Sequence, residues 1–175
     1  APDLTQRFLP FPIQWFDRSR GLEEAWVRSY HTATGDSTFA RGLLELTSDS
    51  ASEVNVPALF LNSTHVESGR RYIAANVKTS PGVLDQQDVI ALLESDLPLA
   101  GAVHNSARFT YVSPAGHLDL HDGREYGHVV DGGYFENSGL ATVGNILQAL
   151  GMATTRDSSV RPVVLYLCND PLPCV

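Results

Sequence analysis

Two short, continuous apolar runs, Val56-Pro-Ala-Leu-Phe-Leu61 and Val163-Val-Leu-Tyr-Leu167, constrain the fold of this chain more than any other feature. Both are too short for an ordinary helix and lack the polar alternation of a half-exposed strand, so each predicts a strand buried on both faces. The first ends abruptly at Asn62-Ser-Thr-His65, which reads as the polar C-terminal edge of a sheet, where open α/β sheets hold their ligands. Arg71–Val77 predicts a second strand with mixed faces, and Val129-Val130 a short one running into Asp131.

Helical patterns separate these runs. Leu22, Ala25, Trp26 and Tyr30 share one face behind a cap at Ser19, with Glu23 and Glu24 in the first turn and Gly35 as the stop. Asp85 is expected to cap a helix reaching Leu93, with Asp88 at its third position. Pro98 reopens helix after Asp96, turning Leu99, Ala102 and Val103 inward. Leu140, Val143, Leu147 and Leu150 follow a cap at Asn137 or Ser138 and stop at Gly151. Strands alternating with helices predict the α/β class. The proline and aromatic residues of Phe8–Phe16 forbid a helix, so residues 1–17 read as an extended arm or linker and 18–175 as one domain.

Composition narrows the partners. A formal charge of -8 with scattered Lys and Arg excludes a phosphate-tracking surface, so nucleic acid is not an expected partner. The same acidity gives no attraction to anionic lipid, and no apolar run approaches the roughly twenty residues of a membrane span. The chain starts at Ala1 with no basic-then-apolar leader, which we read as a piece of a longer protein. The location of that parent protein is open, membrane association and export included. Cys168 and Cys174 can close a small disulfide loop in an oxidising compartment or stay as two thiols.

Two stretches carry candidate chemistry. In His128-Val-Val-Asp-Gly-Gly-Tyr-Phe-Glu-Asn-Ser-Gly139, an apolar run delivers Asp131 onto Gly132-Gly133. Such a carboxylate can act as a base, although paired glycines after an aspartate also make an ordinary tight turn through positive φ. The loop-like stretch Gly116–His128 is dense in histidine and carboxylate. Asp119, His121, Asp122 and His128 can converge on a metal, but their spacing matches no established ligand pattern, so solvated loop residues are expected and no metal or cofactor is assigned. Asn62-Ser-Thr64 is also a formal glycosylation acceptor, a triplet frequent by chance.

Four islands stand in fixed order: Leu61-Asn-Ser-Thr64, Ser106-Ala-Arg-Phe109, Ser113-Pro-Ala-Gly116 and Val130-Asp-Gly-Gly-Tyr-Phe-Glu-Asn-Ser-Gly139. Together they resemble the C-terminal portion of the patatin-like phospholipase catalytic domain, particularly of its bacterial members, over about Arg18 to Asp170. The resemblance implies part of a three-layer α/β/α sandwich related to α/β hydrolases, and hydrolysis of lipid acyl esters by a serine/aspartate dyad. The dyad aspartate of that family's D-G-G matches Asp131, with Gly132 and Gly133 shaping its turn.

The family's serine lies in G-x-S-x-G, after a glycine-rich oxyanion loop, in an N-terminal half that this sequence does not contain. The nearest imitation, Gly35-Asp-Ser37-Thr-Phe39, has Phe where the second glycine belongs. Ser63, Ser106 and Ser138 also lack the strained strand-to-helix elbow of a nucleophile. The expectation is therefore a fragment of a lipid acyl hydrolase that supplies Asp131 and is inactive alone, with lipid or acyl ester at a membrane surface as substrate. Its buried-type strands would leave an open edge or apolar face for self-association or for the missing half. The alternative is a non-catalytic binding or interaction module on the same fold.

Overall fold

The structure, a computed structural model, describes residues 18–48, 56–79, 88–154 and 161–167. The arm at 1–17, the cap at Asp85 and both cysteines lie outside the described residues. The elements are α1 (Arg18–Thr34), a single turn α2 (Glu45–Ser48), β1 (Phe60–His65), β2 (Arg71–Ala75), α3 (Val89–Leu93), α4 (Leu99–Ser106), β3 (Gly116–Asp119), β4 (Glu125–Asp131) and α5 (Leu140–Thr154), with short 3-10 turns at Thr38–Ala40 and Gly132–Tyr134.

The described residues form a mixed α/β structure whose sheet has four strands in the order β2-β1-β4-β3, every neighbouring pair antiparallel. One sheet face carries Tyr72, Ala74, Leu118 and Val129, which pack with Leu43, Val89, Leu93, Leu99 and Ala102 into the core. On the other face Arg71 reaches Thr142 and Asn145 of α5, and the Thr142 hydroxyl donates to Asn62 Oδ1 at 2.7 Å. Helices thus engage both faces of the sheet.

Several expectations change. Strand β1 is not the apolar run Val56–Leu61. It begins at Phe60 and consists largely of the polar residues expected at a sheet edge, with Ser63, Thr64 and His65 buried. Pro57 has no N–H to pair. The segment before β1 is instead tied down by buried Asn76, whose side chain accepts from Leu59 N and donates to Pro57 O. The two buried hydroxyls are satisfied in place: Ser63 Oγ donates to Tyr72 O and Thr64 Oγ1 to Asp131 O.

The other expected buried strand, Val163–Leu167, has no strand partner among the described residues and lies open, with Val163 91%, Leu165 82% and Leu167 85% exposed. The run was read from composition alone, and nothing among the described residues covers it.

Helix ends shift as well. Ser19 is inside α1 and buried rather than its cap, which moves Glu23 and Glu24 into the second turn. Gly35 does end α1, at φ +73 with its N–H on His31 O. Asp88 is itself the cap of α3, accepting from Ala91 N at 3.1 Å. Gly151 does not stop α5, which continues to Thr154.

The stretch Gly116–His128 is a hairpin and not a loop. Gly116 and Leu118 point inward while His117 and Asp119 point out, the two-residue period of a strand, and Gly123 at φ +79 makes the turn after Asp122.

Candidate functional site

Asp131 ends β4, a central strand of the sheet. It stands opposite Ser63 of β1, and Thr64 Oγ1 donates to its carbonyl at 2.9 Å. Its N–H leaves the sheet pattern and donates to Arg108 O at 3.0 Å. The carboxylate Oδ1 accepts from Gly133 N at 2.7 Å, closing the 3-10 turn, and Oδ2 has no hydrogen-bond partner among the described residues. Val129 and Val130 are buried, while Asp131 itself is half-buried and so less enclosed than a fully dry site.

The glycines after Asp131 have a different purpose from the one expected. Neither Gly132 nor Gly133 has positive φ. Gly132 is needed because a Cβ there would lie 2.5 Å from the Asn62 carbonyl oxygen, a backbone atom that cannot move aside. The close approach brings β1 and the Asp131 turn into contact. Asn62 itself is a strand residue with its Oδ1 engaged by Thr142, which leaves the glycosylation triplet inside the sheet.

The turn is followed by a polar clasp. Glu136 accepts from the Ser138 hydroxyl and N–H and from Ala141 N at 3.1 Å, and Ser138 Oγ accepts from Leu140 N, so the two residues together cap α5. Partial burial pushes the Glu136 carboxyl up, but the donors from Ser138, Ala141 and Leu140 outweigh it and hold the group below the usual range. Around the turn, Phe109 stacks on Tyr134 with ring centroids 6.1 Å apart, and Phe109, Tyr134 and Phe135 are each about half exposed.

Behind Asp131 lies a buried network that the sequence did not announce. Arg108, whose carbonyl holds the Asp131 N–H, donates to Asn105 Oδ1, Ser19 Oγ, Pro114 O and Glu23 Oε1. His104, 1% exposed, places Nδ1 2.7 Å from the same Glu23 oxygen and Nε2 3.1 Å from Ser113 Oγ.

A hydroxyl, an imidazole and a carboxylate in line have the form of a nucleophile relay. Here Glu23 is shared with a guanidinium, the Ser113 N–H is spent on Phe109 O, and proline follows the serine, so the backbone donors that would stabilise an oxyanion are missing at this point. The network ties α1, α4 and the 109–114 turn together. Ser19 and Glu23 fall on the same inward stripe of α1 as Trp26, which packs edge-on against His104, so polar residues at apolar spacing were the hint the sequence offered.

Of the other serines, Ser37 Oγ lies 3.4 Å from His31 Nδ1 on the exposed end of α1, Ser106 ends α4, Ser63 donates to Tyr72 O, and Ser138 is held by Glu136 as part of the α5 cap. A cleft of about 330 Å³ lined by Arg20, Glu23, Arg28, Phe39 and Pro98 lies along α1 and shares only Glu23 with the network behind Asp131. The four residues weighed as metal ligands do not converge. Asp119 lies on β3 and His121 and Asp122 at the hairpin turn, where Asp122 pairs with Arg124. Among the described residues, His128 is the one of the four that joins a cluster of potential ligand atoms, with His117 and Glu125, and it also contacts Glu67.

Comparison with known proteins returned no matching family model, no matching curated sequence and no matching solved structure.

Proposed function

We propose that this chain is the C-terminal part of a patatin-like lipid acyl hydrolase domain, a three-layer α/β/α sandwich in which Asp131 is the base of a serine/aspartate dyad. One observation carries the reading: the four sequence islands of the resemblance meet at one place. Asn62 and Thr64 of the first contact Gly132 and Asp131 of the fourth, Arg108 of the second holds the Asp131 N–H, and Pro114 of the third accepts from Arg108. Residues far apart in the chain thus fix the backbone on either side of Asp131, and with it the position of its carboxylate.

The chemistry follows from that geometry. Gly133 N fixes one carboxylate oxygen and leaves Oδ2 to take a proton. A serine hydroxyl brought to Oδ2 from outside these 175 residues would lose its proton to Asp131 as its oxygen bonds to the ester carbonyl carbon. The ester C–O bond then breaks, the departing alkoxide takes the proton, and water releases the acyl group by the reverse use of the same base. The half-exposed Phe109, Tyr134 and Phe135 offer an apolar rim for an acyl chain at a lipid surface.

The test is Asp131→Asn in the complete protein. It keeps the Gly133 contact and should lower acyl-ester hydrolysis by at least about 100-fold with folding unchanged; full activity ends the dyad assignment. Treatment of this chain alone with a fluorophosphonate should leave it unlabelled. Labelling that disappears in Ser113→Ala would replace the dyad with the Ser113–His104 pair.

A further inference from the structure

The outer face of the β3–β4 hairpin, on the side of β4 opposite Asp131, gathers two imidazoles and a carboxylate. His117 and His128 stand opposite each other across the strands, with ring centroids 4.6 Å apart. Glu125, displaced by the register shift after Leu118, puts Oε1 3.3 Å from His128 Nε2. One potential ligand atom from each of the three lies within 4.8 Å of the others.

We propose that His117, Glu125 and His128 form a binding site for a divalent cation of the zinc type. Zinc bonds of about 2.0–2.1 Å put tetrahedral ligand atoms about 3.3 Å apart, a spacing these exposed side chains reach by small rotations. Two nitrogens and one oxygen favour a first-row transition metal over calcium or magnesium, which take oxygen ligands. Three protein ligands would leave at least one position open to water or another ligand.

The surroundings are built to hold His128 in a ligating state. Its Nδ1 lies 2.7 Å from Glu67 Oε1, and its backbone N–H donates to Glu67 Oε2 at 3.0 Å. A neutral imidazole that donates from Nδ1 to a carboxylate presents the Nε2 lone pair outward, toward Glu125, in the carboxylate–histidine–metal arrangement.

A second layer lies behind Glu67. The His65 side chain is 7% exposed, and its Nε2 lies 3.1 Å from Glu67 Oε2 but out of alignment for a hydrogen bond, so this buried nitrogen has no hydrogen-bond partner among the described residues. Gly127 permits that packing, because a Cβ there would sit 2.4 Å from His65 Nε2 and 2.7 Å from Glu67 Oε2. A solvated loop does not need a glycine to let a buried histidine close on a carboxylate.

Calorimetric titration of the full 175-residue chain with Zn²⁺ tests the site, using Cys168→Ser/Cys174→Ser as the parent so that thiols cannot compete. One equivalent should bind in the micromolar range or tighter, and Co²⁺ should give the visible absorption of a four- or five-coordinate ion. His117→Ala and Glu125→Gln should each weaken binding by about 100-fold or more, and Glu67→Gln by roughly 10–100-fold. Asp122→Asn, at the hairpin turn, should leave affinity unchanged. Circular dichroism checks that these surface variants keep the fold. No binding at about 100 μM free Zn²⁺, or affinity unmoved by His117→Ala and Glu125→Gln, overturns the proposal.

Discussion

Glu23 is the anionic centre of the network behind Asp131, and Glu23→Ala should be among the most damaging single changes outside the apolar core. The pair distance to Arg108 is 3.1 Å, with side chains 22% and 9% exposed. At an effective dielectric near 20, the gross attraction at that distance is about 5 kcal/mol. Water can enter on the open side of Glu23, and the bonds from Arg108 to Ser19, Asn105 and Pro114 survive, so about half should be lost net. Including the His104 contact, the expected loss is about 3 kcal/mol, within the range for breaking a buried pair.

For a chain of this length, about 3 kcal/mol corresponds to a Tm lower by about 6–12 °C. Thermal and urea denaturation read it directly, and a Glu23→Ala/Arg108→Met cycle isolates the pair. The control is next door on α1: Glu24 lies 3.4 Å from Arg28, but both side chains are about two-thirds exposed. Glu24→Ala should cost less than about 1 kcal/mol. If Glu23→Ala costs no more than Glu24→Ala, or the cycle gives a coupling below about 0.5 kcal/mol, burial is not what gives this network its strength.

Gly132→Ala should destabilise by about 1–3 kcal/mol, because its Cβ would meet the Asn62 backbone, whereas Gly144→Ala on α5 has open space and should stabilise by up to about 1 kcal/mol; matching urea midpoints for the two variants would refute the close-contact reading. Glu136 titrates below its ordinary value of 4.5 in the folded chain, so its capping contribution is complete above about pH 4.5 and is lost as pH falls through the lowered value. The stability of Glu136→Gln should therefore lie below that of the parent at neutral pH and approach it in acid; a constant gap down to pH 3 or so would count against this. Leu165→Glu, in the exposed apolar segment, should shift any self-association seen by sedimentation toward monomer, and an unchanged distribution would remove that segment from the interface.

Helix positions were legible in the sequence because apolar spacing and breakers such as Gly35 and Pro98 act locally. Strand positions were less so. A run of apolar letters predicted β1 too early and a strand at Val163–Leu167, because composition does not say whether partners cover a segment. Polar Asn62–His65 reads as an edge until Tyr72 and Asp131 provide their carbonyls from other strands. The hairpin was in reach: His117-Leu-Asp-Leu120 alternates, and Asp122-Gly123 is a turn pair, but the density of charged letters masked the period. Asp131 and its glycines stood out early, yet the reason for Gly132 is a contact with Asn62, seventy residues away in the sequence and visible only in three dimensions.

That separation has a kinetic side. The β3–β4 hairpin closes over a few residues at Leu120–Arg124, so the His117–His128 pair can form as soon as the turn does, on the microsecond scale of hairpins. The Asp131 turn becomes defined only after β1 has found β4 and α1 has docked Ser19 against Arg108, contacts that close long stretches of chain. Because such closures lose chain entropy before they gain contacts, the Asp131 carboxylate should be among the last features to reach its final position during folding. A peptide spanning β3 and β4 could then display the histidine pair without ever presenting Asp131 as the whole chain does.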